Sequence, residues 1–157
     1  MADAGYCAAK KTRFHGVRLH CVAQRRAGRL PLPAQVWLCA ASHHDSKAFI
    51  GQQPALPSTE LFGDLAYPTP QIISHLKEQQ TRLVAPIKKP KGKELTEAEG
   101  YYNRSVRRIR QPIESLFNWV EEKTGIQRAS KVRSTDALMV HCWGKLAVAF
   151  FLLVFNY

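Results

Sequence analysis

Over residues 14–23 (FHGVRLHCVA) apolar and polar positions alternate, with Val17, Leu19 and Cys21 on one side and Arg18 and His20 on the other. A period of two is the pattern of a half-buried strand. The polar break QRRAGRLPLP follows, and residues 35–41 (QVWLCAA) then form a more continuous apolar run. Residues 14–41 therefore predict an antiparallel hairpin with a longish turn. SHHDSKAF offers Ser42 or Asp45 to cap a short helix that Gly51 and Pro54 end. Residues 60–63 predict a brief strand leading to Asp64, Pro68 and Pro70 open a helix around residues 71–80, and residues 82–87 predict another strand. After the polar connector KKPKGKELTEAEG a long helix is predicted from about 96 to 123, stopped at Gly125, and a last helix over about 134–155.

This order of strands and helices is that of an α/β protein. Parallel pairing of the strand at 60–63 with its neighbour would place Asp64 at a carboxyl end, where open α/β sheets build their sites. At 157 residues and 45% hydrophobic, the chain is long enough for one domain with a real core. The ten-residue apolar run 146–155 is well short of the ~20 residues that span a bilayer, which predicts a buried core helix and no membrane association.

Charge adds a partner to this picture. Lys and Arg number 23 against 12 acids, a formal charge of +11. Solubility alone asks for a magnitude of only ~2–8 in a small domain, so the excess favours a polyanion such as nucleic acid or an anionic membrane surface, nucleic acid being preferred. Eight Lys or Arg against three Glu lie between Lys88 and Arg110, with Tyr101 and Tyr102 interleaved. Lys88, Lys89, Lys91, Lys93, Arg104, Arg107 and Arg110 are thus expected to contact a DNA backbone, in a salt-sensitive and largely sequence-independent way. Cys7, Cys21, Cys39 and Cys142 show no CxxC spacing, which excludes a zinc ribbon or redox motif and predicts small buried hydrophobes in a reducing cytoplasm. MADAGYCAAKK lacks the apolar core of a signal peptide.

On the long helix, Arg107, Arg110, Glu114 and Glu121 are spaced 3, 4 and 7 apart and share a stripe, beside the apolar stripe of Ile109, Ile113, Leu116 and Val120. Glu114 is expected close to the buried seam. Arg110, one turn earlier, either positions a phosphate or pairs with Glu114, as in any amphipathic helix. Pro112 predicts a kink, or a restart that would set Glu114 in a first turn.

In order, FHGVRLH, LPLPAQVWLCAASHHDSKAF, LFGDLAY and RRIRQPIESLF resemble the successive blocks of bacterial insertion-sequence transposases with a DDE catalytic domain. The resemblance runs from Gly5 to the final apolar helix. It implies a ribonuclease H-like mixed sheet flanked by helices, a DNA substrate (insertion-sequence ends and target DNA), a homodimer, and a cytoplasmic, nucleoid-associated bacterial protein. Its block around GD supplies a catalytic Asp and its R(x3)E block a catalytic Glu, which fall on Asp64 and Glu114. Both would bind Mg2+ or Mn2+ in a two-metal site, for which carboxylates are the hard oxygen ligands. The family's His-Asp pair falls on His44 and Asp45, for which a structural, helix-capping role is preferred.

The chain also departs from the family pattern. The Tyr three residues before the Arg and the Lys seven after the Glu are replaced by Arg107 and Glu121, with Lys123 two residues beyond. The family's first Asp lies on a strand preceding the block at which this chain begins, and Asp3 stands too close to the terminus to lie within a strand of the usual ~5–6 residues. The resemblance therefore implies a partial catalytic domain, its first strand missing, that is weakly active or inactive. The alternatives are a non-catalytic DNA-binding module that regulates an intact transposase, and a remnant whose exposed sheet edge prevents stable folding.

Overall fold

The computed structural model describes residues 2–7, 11–56, 59–129 and 131–155. The chain forms two compact units, one of Met1–Ser42 with Pro112–Tyr157 and the other of His43–Gln111.

The first unit is built on the predicted hairpin. Strands β2 (Thr12–Gln24) and β3 (Leu32–Ala40) pair antiparallel, and β1 (Asp3–Cys7) adds to the other side of β2, giving the order β1-β2-β3. Strand β1 was not predicted, and Asp3, read as lying outside any strand, is its first residue, opposite Gly16. Close packing helps hold it: a side chain at Gly5 would bring its Cβ within 2.7 Å of the Ala41 Cβ. The Asp3 carboxylate also ties β1 to the end of β3, accepting hydrogen bonds from the Ser42 N–H at 2.8 Å and from the Ser42 hydroxyl. Pro33 is tolerated in β3 because that strand is at the sheet edge.

Two helices complete this unit's core. The part of α3 (Glu97–Thr124) beyond Pro112 contributes Leu116, Trp119 and Val120, and α4 (Thr135–Phe155) contributes Leu146, Ala149 and Leu153. Leu19, Cys21, Ala23, Leu32 and Val36 of the hairpin pack against them. The alternation seen in the sequence is therefore the inner face of the sheet. Helix α3 runs through Pro112 without restarting, and Gly125 ends it in a left-handed conformation (φ 59°). The buried-helix expectation for residues 146–155 is corrected on one side. Leu146, Ala149 and Leu153 are buried, but Val148, Phe151, Val154 and Phe155 face outward. By length and composition α4 could cross a membrane.

The second unit holds a parallel pair, β4 (Glu60–Phe62) and β5 (Arg82–Val84), joined through α2 (Pro70–Glu78), with α1 (Asp45–Gln52) against α2. Thr69 caps α2 through its hydroxyl, which accepts from the Ile72 N–H at 3.3 Å, and Pro70 fits the first turn, where its missing donor costs nothing. The predicted strand over 82–87 stops at Val84, the last residue with a partner on β4. The N-cap of α1 is His44 and neither Ser42 nor Asp45: Ser42 is engaged by Asp3, and Asp45 lies in the first turn, where its charge complements the helix dipole. A capping box starts α3. The Thr96 hydroxyl accepts from the Glu99 N–H at 3.2 Å, and the Glu99 carboxylate accepts from the Thr96 N–H at 2.7 Å.

Candidate active site

LFGDLAY turns sharply at the end of β4. The Gly63 N–H donates to the Val84 carbonyl at 2.9 Å, extending the parallel ladder by one bond before the chain leaves the sheet. Glycine is needed there for space: a Cβ on Gly63 would sit 3.1 Å from the Tyr67 Cβ and 3.3 Å from the Leu83 Cδ1. Tyr67 folds back over this point and packs edge-on against Phe49, ring centroids 5.6 Å apart. Asp64 thus emerges at the carboxyl end of a strand in a parallel pair, as its sequence context predicted. The Ala66 N–H donates to its Oδ1 at 2.8 Å in an Asx turn, and the Tyr67 N–H donates to its carbonyl at 3.3 Å. The half-buried carboxylate is held by one oxygen, and Oδ2 has no hydrogen-bond partner among the described residues.

Glu114 projects from α3 into solvent, although the sequence suggested a place close to the buried seam. The seam is formed by Leu116, Trp119 and Val120. Arg110, half-buried one turn earlier, forms no ion pair with Glu114 among the described residues. Both charges are left available. Further along the same stripe, Arg107 is exposed, and Glu121 accepts from the Gln127 N–H at 2.9 Å, stabilising the turn after α3. Asp64 belongs to the second unit and Glu114 to the first. Among the described residues no group of three or more His, Cys, Asp or Glu stands ready to hold a metal ion. The carboxylates that are present suit a hard divalent ion, since Mg2+ is commonly held by one or two carboxylates with water and substrate phosphate completing its shell.

The basic connector is held against the start of α3. The Asn103 side chain bonds both backbone groups of Ile87, accepting from its N–H at 2.7 Å and donating to its carbonyl at 3.0 Å. The Tyr102 hydroxyl donates to the Ala85 carbonyl at 3.3 Å. Lys88, Lys89, Lys91 and Lys93 are exposed, and Lys89 pairs with Glu94 at 2.6 Å. Arg104 lies over the Tyr101 ring at 4.3 Å, a cation–π contact that pre-orders the guanidinium. Two cations that the sequence reading passed over, Lys77 and Arg82, line an open groove of about 560 Å3 with Tyr102. Their signal was weak because each is a single basic residue in a short element. His44 is exposed and Asp45 half-buried at the start of α1.

The cysteines behave largely as expected. Cys142 is buried, Cys21 and Cys39 are half-buried, all three are free thiols, and the Cys7 side chain lies outside the described residues. Burial pushes the Cys21 thiol up to about 11, so it stays protonated and inert.

A family model described as Transposase DDE domain matches residues 2–151. No curated protein and no solved structure gives a match. The antiparallel sheet, the separate parallel strand pair and the helices around them make a mixed α/β structure that agrees with the ribonuclease H-like fold of DDE domains. Proteins of this family act in DNA transposition, take DNA as substrate and use divalent metals, which fits a soluble cytoplasmic protein. With nearly its whole length matched, this chain belongs to the transposases with a DDE domain.

Proposed function

We propose that the chain carries two carboxylates of a metal-dependent DNA strand-cleavage and strand-transfer centre, Asp64 and Glu114, acting on insertion-sequence ends and target DNA. The observation that carries this reading is Asp64 itself, half-buried at the carboxyl end of β4 with one oxygen fixed by the Ala66 N–H and the other open. A divalent metal bound there would activate water or a 3′ hydroxyl and stabilise the leaving oxygen of an in-line displacement at phosphorus. Asp64 and Glu114 supply hard oxygen ligands. Arg110, with no ion-pair partner among the described residues, holds a backbone phosphate. Lys88, Lys91, Lys93, Arg104 and Arg107 neutralise further phosphates along the strand, and Lys77 and Arg82 extend the basic surface. His44 and Asp45 serve the start of α1. A basic protein of this kind resides with the nucleoid.

Nicking of supercoiled plasmid in Mg2+ or Mn2+ tests the reading. Slow, metal-dependent nicking is expected, lost in Asp64→Asn and in Glu114→Gln while DNA binding persists in both. Nicking that survives both substitutions would refute the assignment. Metal-independent DNA binding without nicking in the unmodified chain would instead establish the second reading, a DNA-binding module that competes with an active transposase; the density of exposed cations between Lys88 and Arg107 favours that as the runner-up.

A further inference from the structure

Positive charge is least compensated in a part of the chain that the proposed function leaves unused. Residues 4–44 hold seven Lys or Arg and no Asp or Glu, whereas the stretch from Lys88 to Arg110 offsets its eight cations with three Glu. Three of the seven, Arg25, Arg26 and Arg29, crowd into the turn that joins β2 to β3. We propose that this turn is a second DNA-backbone contact, in which Arg25 and Arg29 hold phosphates of a duplex and Arg26 sets the shape of the loop that presents them. The contact rests on DNA being the substrate and on nothing assigned to Asp64 or Glu114. Every phosphate contact of the proposed function lies within His43–Gln111, whereas this turn belongs to the first unit.

The loop is pinned from within. The pairing of β2 with β3 shifts register between Val22 and Ala23, and such a bulge sharpens the twist of the strands as they approach the turn. Leu30 packs against the helical core, and the Arg26 Nε donates to the Leu30 carbonyl at 2.8 Å, closing the loop across its tip. Gly28, between them, takes a left-handed conformation (φ 65°) with open space around it. Arg25 and Arg29, next in sequence to the two bonded residues, are exposed, and none of the three arginines forms an ion pair among the described residues. The Arg26 Nη2 is shut off from solvent with no hydrogen-bond partner among the described residues. A guanidinium partly stripped of water and left without a counter-charge is a fixed positive field that an anion relieves. The guanidinium fork matches the oxygens of a phosphate in pairs. The turn has no aromatic side chain to stack on a base, and its one large aliphatic residue, Leu30, is turned to the core and away from any bilayer. Those features select the sugar–phosphate backbone, bound without regard to sequence.

Fluorescence anisotropy of a labelled random-sequence duplex titrated with the full chain, over ~50–200 mM salt, tests this contact. Each lost phosphate contact lowers the magnitude of the log–log salt slope by ~0.9. Arg25→Ala combined with Arg29→Ala should therefore take about 2 from the slope and weaken binding on the order of 20–200-fold across that range. Arg25→Lys with Arg29→Lys keeps both charges and should restore the slope. Lys91→Ala with Lys93→Ala should give its own loss, and joining the two pairs should add them, since each phosphate contact counts once. Arg25→Gln with Arg29→Gln provides a second neutral pair, and circular dichroism decides which neutral pair keeps the native strand and helix content and is the one read. A folded neutral pair that binds duplex with the original slope and affinity overturns the proposal, and does so without touching the Lys91 and Lys93 surface if that pair still shows its loss. An unmodified chain that binds no duplex overturns it as well. So does a neutral pair that loses only binding to anionic lipid vesicles, which would identify a membrane surface as the partner of the turn.

Discussion

Substituting Asp64 in two ways separates its structural role from its chemical one. The carboxylate accepts the Ala66 N–H at 2.8 Å and so holds the turn that ends β4. Asparagine keeps an acceptor oxygen in the same place, although a neutral amide accepts roughly half as strongly as a carboxylate, so Asp64→Asn should cost about half of what removing the acceptor costs. Alanine removes the acceptor and leaves the N–H of half-buried Ala66 unpaired, for a cost of about 0.5–1.5 kcal/mol. In a chain of this length 1 kcal/mol corresponds to roughly 2–4 °C in Tm, so the two variants should melt about 0.5–3 °C apart. Nicking should not distinguish them, because neither has a charged oxygen to offer a metal. Thermal unfolding and plasmid nicking on the same preparations provide the readouts. Equal melting temperatures would refute the turn argument, and nicking retained by Asp64→Asn would refute the ligand argument.

Other outcomes follow from neighbouring features. Leu146→Ala empties a fully buried site between α3 and the sheet and should cost about 2–5 kcal/mol in urea unfolding, whereas Glu114→Gln, exposed and without an ion pair among the described residues, should stay within about 0.5 kcal/mol. The Glu99 carboxyl is held below its ordinary value of 4.5 by hydrogen bonds from the backbone and side chain of Thr96. Its contribution to the start of α3 is present above the unfolded-state value and is lost as pH falls through the lowered folded one, so the protection factors of the amides of residues 97–99, taken relative to intrinsic exchange at each pH, should fall in acid and not in base. DNA affinity should fall steeply with salt, and Arg107→Glu should reduce the magnitude of the log–log slope by about 1 if Arg107 contacts a phosphate. Alkylation of Cys21 at pH 8 should be slow, its thiol being protonated with a value of about 11.

The elements that the sequence showed plainly are those whose pattern is set by a single buried face. β2 alternates because one face packs on α3 and α4, and α2 announces itself through the prolines that precede it, Pro70 standing at its first position. Strand β1 gave no such signal, since DAGYC is short, lacks alternation and owes its place to partners on β2 and to Ser42. The outward face of α4 was hidden for the opposite reason: a helix apolar all round has no contrast from which to tell an inner from an outer side. For Arg110 and Glu114 the spacing gave the shared stripe but not the pairing, because a one-turn separation permits an ion pair without requiring it.

Both acids are positioned by local structure, which explains why short motifs could point to them. Asp64 depends on a glycine where a Cβ would be crowded, a tyrosine folded over it and one Asx hydrogen bond, all within five residues. Glu114 depends on the register of a continuous helix. Arg110 precedes it by one turn, a rise of roughly 6 Å along the axis, and the intervening Pro112 does not break α3. Positioning of this kind has a thermodynamic consequence. Among the described residues neither acid relies on a neighbouring charge or a buried network for its orientation, so replacing either with its amide removes the charge that the proposed function assigns to the metal while leaving the local backbone in place. Loss of function without loss of fold is therefore the signature expected of these two positions, whereas at Gly63 an added Cβ would crowd Tyr67 and Leu83, which must give by a few tenths of an ångström beside Asp64.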